Sequence, residues 1–159
     1  MAPTSIDRTT LLFFDASSLV AAAGRPVGGS GFLLSLVRRQ LLVGAISGPV
    51  IEEAERNIRA KMRPEAFTRF QELLHVTSLR ITRLPDEAAV RRFYNLVGEK
   101  DAHVIAAALT ARAAYLITLD HPLAERISGS GLPIQALTPG VFITTVLPTH
   151  PEYPVMRDR

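Results

Sequence analysis

The residues best suited to chemistry in this 159-residue sequence are its acids. Only six are aspartates: Asp7, Asp15, Asp86, Asp101, Asp120 and Asp158. Asp15 and Asp120 each close a short apolar run, over Thr10–Phe14 and Ala114–Leu119, of the kind that forms a buried strand. Asp101 opens an Ala-rich apolar stretch, Asp101–Ala113, that reads as a helix just before the Asp120 strand. Glu52 and Glu53 fall in the first turn of a helix expected over Val50–Met62. In open α/β sheets, sites form at the carboxyl edge of the strands, and all of these acids are expected at that edge. Singly, each has an ordinary explanation. An Asp after a strand caps the next helix, and an acid in a first turn suits the helix dipole. Together, carboxylates from four distant segments repel one another unless a cation lies between them. Hard oxygen ligands, with no cysteine and no paired histidines, suit Mg²⁺ or Mn²⁺ rather than Zn²⁺. Such ions keep waters and meet phosphate oxygens, so the expected chemistry is metal-assisted phosphodiester hydrolysis.

The elements that must position these acids alternate along the chain. Strands are expected at Thr10–Phe14, Val43–Ile46, Val76–Leu84, Ala114–Leu119 and Pro133–Leu137. Helices are expected at Ala16–Ala23, Phe32–Gln40, Val50–Met62, Pro64–Leu74, Asp86–Val97, Asp101–Ala113 and Pro122–Ile127. The glycine-rich stretch Gly24–Gly31 breaks the first helix, Pro49 suits the first turn of the third, and Gly98 ends the fifth. Strands alternating with helices imply an α/β fold, a three-layer α/β/α sandwich around a central parallel sheet. Apolar strands without in/out alternation agree, since parallel sheets are covered on both faces.

The composition narrows the function further. With 47% hydrophobic residues, the chain suffices for one domain with its own core. The absence of cysteine excludes disulfide scaffolds, thiolate zinc sites, iron–sulfur clusters and cysteine nucleophiles. It is compatible with a reducing cytosol, and a cytoplasmic location is expected. No apolar run approaches the ~20 residues of a membrane span, and Leu11–Phe14 stops at Asp15, too soon for a signal peptide. The formal charge is +3, with sixteen arginines against two lysines, Lys61 and Lys100. Arginine grips phosphate bidentately, so the surplus permits a polyanionic partner, although GC-rich coding would produce the same bias.

Four segments resemble the PIN-domain ribonucleases, which include the toxins of VapC-type toxin–antitoxin pairs. The first is the strand followed by Asp15-Ala16-Ser17. The second runs from Ser47 to Glu52-Glu53-Ala54. The third is Asp101-Ala102-His103 leading into Val104-Ile105-Ala106-Ala107-Ala108. The fourth is Tyr115-Leu116-Ile117-Thr118-Leu119-Asp120. The likeness spans roughly Leu11 to Val141. It implies a PIN-like nuclease domain over residues 10–147; the polar stretch 1–9 reads as a flexible N-terminus, and 148–159, with three prolines, as an irregular tail outside the likeness. It implies that Asp15, Glu53, Asp101 and Asp120 bind Mg²⁺ or Mn²⁺ and carry catalysis, with Ser17 and Thr118 orienting the first and last aspartates. Glu53 fits the family spacing from Ser47, with Glu52 one residue away and the helical stripe favouring neither. Many relatives carry a further Asp after Thr-x-Asp; here Pro122 and Leu123 follow His121. The implied activity is endonucleolytic cleavage of RNA, with an antitoxin protein and a second copy of the chain as further partners.

Other readings stand beside this one. A PIN-fold module that binds RNA or protein without catalysis would keep the fold and lose the acids. A haloacid-type phosphatase would want Asp-x-Asp after the first strand, where this chain has Asp15-Ala16-Ser17. A receiver domain would want paired acids there and a late lysine. His103 and His121 lie near the expected acids and suit a capping role or contact with phosphate. His75 and His150 stand alone and read as structural or solvated. Arg38, Arg39 and Arg112 suit either an RNA path or a solvated helix face. The apolar faces Phe32–Val37 and Phe67–Leu74 suit either the core or a dimer interface.

Overall fold

The computed structural model describes residues 5–156. The apolar runs ahead of Asp15 and Asp120 form the centre of its sheet as β1 (Leu11–Phe14) and β4 (Tyr115–Ile117). Phe13, Phe14, Leu116 and Ile117 are wholly buried there, and each such side chain contributes roughly 1.5–3 kcal/mol on leaving water. Beside β1 lies β2 (Val43–Ile46), and then the two-residue β3 (Arg80–Ile81); β5 (Gln135–Leu137) flanks β4. Every pairing is parallel, in the order β3-β2-β1-β4-β5.

The chain steps outward from β1 through β2 to β3, then returns across the sheet to place β4 against β1. The strand order therefore reverses between β1 and β4, which is where an open α/β sheet forms its crevice. The register sets Phe14 opposite Ile117, so Asp15 and Thr118, the residues that follow, leave the sheet side by side.

Helices cover both faces. One group comprises α1 (Ala16–Gly24), α2 (Gly29–Arg38), α3 (Gly48–Lys61) and α4 (Pro64–Val76), with α1 packed on the other three. The other comprises α5 (Glu87–Arg91), α6 (Tyr94–Val97), α7 (Glu99–Thr110) and α8 (His121–Ser128). The result is the expected α/β/α sandwich. Local chemistry sets the helix starts. Ser47 Oγ accepts from Val50 N–H to cap α3, with Pro49 in its first turn. Asp86 caps α5 in the same way.

The structure corrects several expectations. Val76 closes α4 and Thr77 N–H donates to Leu73 O in its last turn, which leaves only Arg80–Ile81 of the strand expected over Val76–Leu84. The helix expected over Asp86–Val97 breaks into α5 and α6 at Arg92–Phe93. A helix not foreseen, α9 (Pro139–Val141), begins on the cap Thr138 and continues as a π-helical turn, Phe142–Val146, and a 3-10 turn, Leu147–Thr149.

The tail is not irregular as far as it is described. It folds into α10 (Tyr153–Met156), with Met156 and His150 buried. His150 Nε2 meets Leu41 O at 2.8 Å while its Nδ1 accepts from Glu152 N–H at 3.0 Å, so both nitrogens of a neutral ring are used. Of the expected flexible N-terminus, residues 1–4 lie outside the described residues. Ile6 is buried, its N–H donates to Thr149 Oγ1 at 3.2 Å, and Arg8 pairs with both Glu152 carboxylate oxygens through Nε and Nη2. The two ends thus clasp one another at the edge of the sheet where strands begin. Among the described residues no single helix is long and apolar enough to cross a membrane.

Candidate active site

Asp15 is the first residue beyond β1. Its N–H donates to Ile117 O at 3.0 Å, and it is only 8% exposed. Its Oδ1 accepts from Ala16 N–H at 2.7 Å and starts α1. Its Oδ2 accepts from Thr118 Oγ1 at 2.8 Å and from Ser17 Oγ at 3.2 Å. Both hydroxyls also serve the neighbouring strand end. Ser17 Oγ accepts from Leu119 N–H at 3.0 Å, and Thr118 Oγ1 accepts from Asp120 N–H at 3.2 Å. The Asp-x-Ser and Thr-x-Asp spacings therefore have one physical purpose: two hydroxyls lace the ends of β1 and β4 together and hold their aspartates at the crevice.

Asp120 caps α8, its Oδ1 accepting from Leu123 N–H at 3.0 Å. The capping reading and the site reading of Asp15 and Asp120 thus hold at once, because each cap occupies one carboxylate oxygen. Asp101 sits half-buried in the first turn of α7. Burial pushes its carboxyl above the usual range, and the negative charges of Asp15 and Asp120 push it the same way; Lys100 and His103 pull in the opposite direction. Three acids from three segments are therefore close enough to feel one another's charge.

The glutamates stand differently. Helix α3 begins at Gly48, two residues earlier than expected, so Glu52 and Glu53 fall in its second turn. Glu52 is exposed, while Glu53 is half-buried beside the fully buried Ala54. The acids that raise Asp101 are Asp15 and Asp120, and Glu53 is not among them.

Among the described residues no three acid or imidazole groups form a ready-made cage for an ion. The donors nonetheless suit Mg²⁺ or Mn²⁺. They are hard oxygens, and Asp101 is a carboxylate with like-charged neighbours. A Mg²⁺ ion that keeps several waters needs only one or two direct carboxylates.

Thr118 is wholly buried, so the lacing can be tested. Thr118→Val keeps the shape but strips Asp15 Oδ2 of its nearer donor and Asp120 N–H of its acceptor. Leaving buried polar groups unmatched costs about 1–3 kcal/mol, so calorimetry should read a melting temperature lower by several degrees. An unchanged melting temperature would refute the lacing.

The other candidates sort by position. His103 lies close enough to Asp101 to lower its pKa, and its buried Nδ1 has no partner among the described residues. His121 borders a cavity beside Asp120. Arg39 donates to Met156 O at 3.3 Å and Arg112 turns the chain at φ 60° ahead of β4. Both lie at the opposite edge from the acids, so neither lines an RNA path over them. Arg38 borders a groove between α1, α2 and α4.

Aspartates laced by hydroxyls at the reversal point of a five-stranded parallel sheet define a class of α/β site protein. A family model described as the PIN domain matches residues 12–122. The chain belongs to the PIN-domain family, and the matched stretch contains Asp15, Glu53, Asp101 and Asp120.

Solved structures agree on the fold. PAE2754 from Pyrobaculum aerophilum superposes with a TM-score of 0.59 at 18% identity, over 85% of this chain and 93% of that one. VapBC2 from Rickettsia felis, bound to a DNA fragment from its promoter, gives 0.58 at 15% identity, over 81% and 98%. VapC20 from Mycobacterium tuberculosis, a toxin that cleaves the sarcin–ricin loop, gives 0.54 at 12% identity, over 77% and 98%. No curated protein matches the chain.

Proposed function

We propose that this chain is a Mg²⁺- or Mn²⁺-dependent endoribonuclease and the toxin of a toxin–antitoxin pair, its activity carried by residues 10–147. The observation that carries the reading is the meeting of Asp15, Asp101 and Asp120 at the strand-order reversal, where burial and the charges of Asp15 and Asp120 raise the Asp101 carboxyl. Repelling acids at a crevice are a stability cost that a catalytic cation offsets. Asp15, Asp101 and Asp120 hold the ion, and Glu53 completes the acidic set from α3. The ion, when bound, supplies charge for the scissile phosphate and acidifies water.

The chain's own residues do the rest. Ser17 and Thr118 fix the Asp15 carboxylate so that it need not reorganise as charge develops. Asp120 turns toward the crevice while anchored through Oδ1 to α8. The partners that fit are RNA as substrate, an antitoxin protein and a second copy of the chain. The VapBC complexes among its structural neighbours support the antitoxin.

The test is cleavage of a labelled, structured RNA pool in Mn²⁺, Mg²⁺ or EDTA. Asp15→Asn keeps an amide oxygen for the α1 cap, so it folds, and cleavage should fall at least a hundredfold. Cleavage that survives Asp15→Asn or EDTA would falsify the assignment. A second reading is a PIN-fold module that binds RNA or protein without catalysis, since no three acids or imidazoles among the described residues form a ready-made ion cage. Calorimetry separates the two, since that reading expects no Mn²⁺ binding at millimolar concentration.

A further inference from the structure

Helix α3 carries three residues at four-residue spacing, Glu53, Asn57 and Lys61. Side chains spaced in this way stand one above another on a single helix face. The row starts at the glutamate proposed for the acidic set. It leads away from it, first to an amide one turn on and then to an ammonium. Asn57 and Lys61 both border a cavity of about 310 Å³ between α3 and α1. Helix α1 lines it with Ser17, Val20 and Ala21, and the end of β4 lines it with Leu119. Its volume is at the small end of the range for ligand cavities, roughly 300–1,000 Å³.

The cavity adjoins the acids. Ser17 borders it while its hydroxyl donates to Asp15 Oδ2 at 3.2 Å, and Leu119 borders it between Thr118 and Asp120. Leu119 is 43% exposed, yet its N–H is fixed on Ser17 Oγ at 3.0 Å. It is an apolar side chain on an anchored backbone, left uncovered. Away from the acids, Met62 borders the cavity, its methyl lying where a side chain on Gly24 would begin.

Asn57 does nothing for the fold. Asparagine is a poor residue for a helix interior, and Asn57 neither caps α3 nor bonds the carbonyl four residues back. Its half-buried amide makes no hydrogen bond with another described residue, so donor and acceptor are both open to what enters. Lys61 is exposed and forms no ion pair among the described residues. Apolar walls with one amide and one cation suit a nucleobase and its phosphate. A flat base covers Leu119 and lies against Met62, its edge meets the amide, and its phosphate meets the ammonium.

We propose that this cavity seats the base next to the phosphodiester being cut, that Asn57 reads that base, and that Lys61 holds the phosphate on its far side. The inference rests on the nuclease reading and adds base selection to it. Asparagine matches adenine, whose N7 accepts and whose N6 amino group donates. Unstacked bases of single-stranded RNA are read along such edges.

Mapping the cuts in a randomised single-stranded RNA pool with Mn²⁺ tests this on the full chain. The variants are Asn57→Ala, Lys61→Ala and the control Arg59→Ala, a basic residue of α3 that pairs with Glu55 outside this cavity. The wild type and Arg59→Ala should favour adenine beside the cut by on the order of tenfold. Asn57→Ala should cut beside all four bases alike. Lys61→Ala should keep the preference and leave kcat alone while raising KM about tenfold. It should also flatten the salt slope of RNA binding by roughly 0.7, the contribution of one phosphate contact. Melting temperatures should hold, or rise slightly in Asn57→Ala, because alanine suits a helix better. A lost preference therefore does not reflect misfolding.

A base preference that survives Asn57→Ala overturns the pocket and leaves the nuclease reading standing. So does cutting by the wild type with no preference beside the cut. A wild type that cuts no RNA sinks the nuclease reading, and binding of labelled poly(A), poly(C) and poly(U) then decides the pocket alone. Tighter binding of poly(A) that Asn57→Ala abolishes upholds it; equal binding, or none, overturns it.

Discussion

Asp101→Asn is expected to make the metal-free protein harder to melt and to abolish RNA cleavage. The two effects have one cause. Burial and the charges of Asp15 and Asp120 raise the Asp101 pKa, so its ionised form is less favourable in the folded chain than in the unfolded one. At neutral pH that charge costs stability, and asparagine removes it with little change in shape. Because Asp101 is only partly buried and its charge is screened by solvent, the relief is worth no more than about 1 kcal/mol, or a few degrees in a domain of this size. The same change removes a ligand charge from the proposed centre, and losing such a group costs roughly 10²–10³ in rate. Scanning calorimetry in EDTA, beside cleavage in Mn²⁺, reads both. A melting temperature that falls in Asp101→Asn would mean that Asp101 supports the fold and is not held there for function.

The second large effect is the stabilisation that the ion itself should bring, and its loss in acid. Mn²⁺ at about a hundred times its dissociation constant stabilises a protein by about 2.7 kcal/mol. That is a rise of roughly 5–10 °C for a chain of this length. The sign with pH follows from Asp101. Because its folded pKa is raised, the metal-free protein has its full share of stability from this group below the ordinary aspartate range. That share is lost as pH rises through the folded value. The ion acts in the opposite sense, since it needs the ionised carboxylate. The Mn²⁺-induced rise should therefore be full near neutrality and shrink as pH falls through the raised Asp101 value, before ordinary carboxylates protonate. Thermal scans with Mn²⁺ and with EDTA between about pH 4 and pH 8 show the difference. Asp101→Asn should remove most of the rise at every pH.

What could be read from the residues follows how local the controlling physics is. Asp15 and Asp120 were legible because each closes an apolar run, whereas Ser17 and Thr118 were marked only by the resemblance to the PIN-domain family. That the two pairs are laced to each other was not, because it depends on the Phe14–Ile117 register. Fully apolar strands carry no alternation from which to read their neighbours. The start of α3 was misjudged by two residues, since its cap is Ser47, and this moved Glu52 and Glu53 a turn along the helix. Helix α9 went unseen because Thr138-Pro139, its cap and first residue, directly follow a short strand. The burial of His150 and Met156 had no periodic signal at all, since single residues docked by distant partners leave none.

The clasp between the chain ends has a consequence for the order of assembly. Its parts lie 143 residues apart at Ile6 and Thr149, and 109 apart at Leu41 and His150. Domains emerge from synthesis N-terminal part first, so α1, α2 and the strands beside them must wait with Leu41 O unmatched until the final helical turn is made. The acids at the far edge of the sheet depend on β1, α3, α7, β4 and the first turn of α8, which supplies Leu123 N–H to Asp120. A growing chain therefore assembles its reactive edge before it can fasten its own ends, and a protease acting during synthesis would find the region around Leu41 last to become protected.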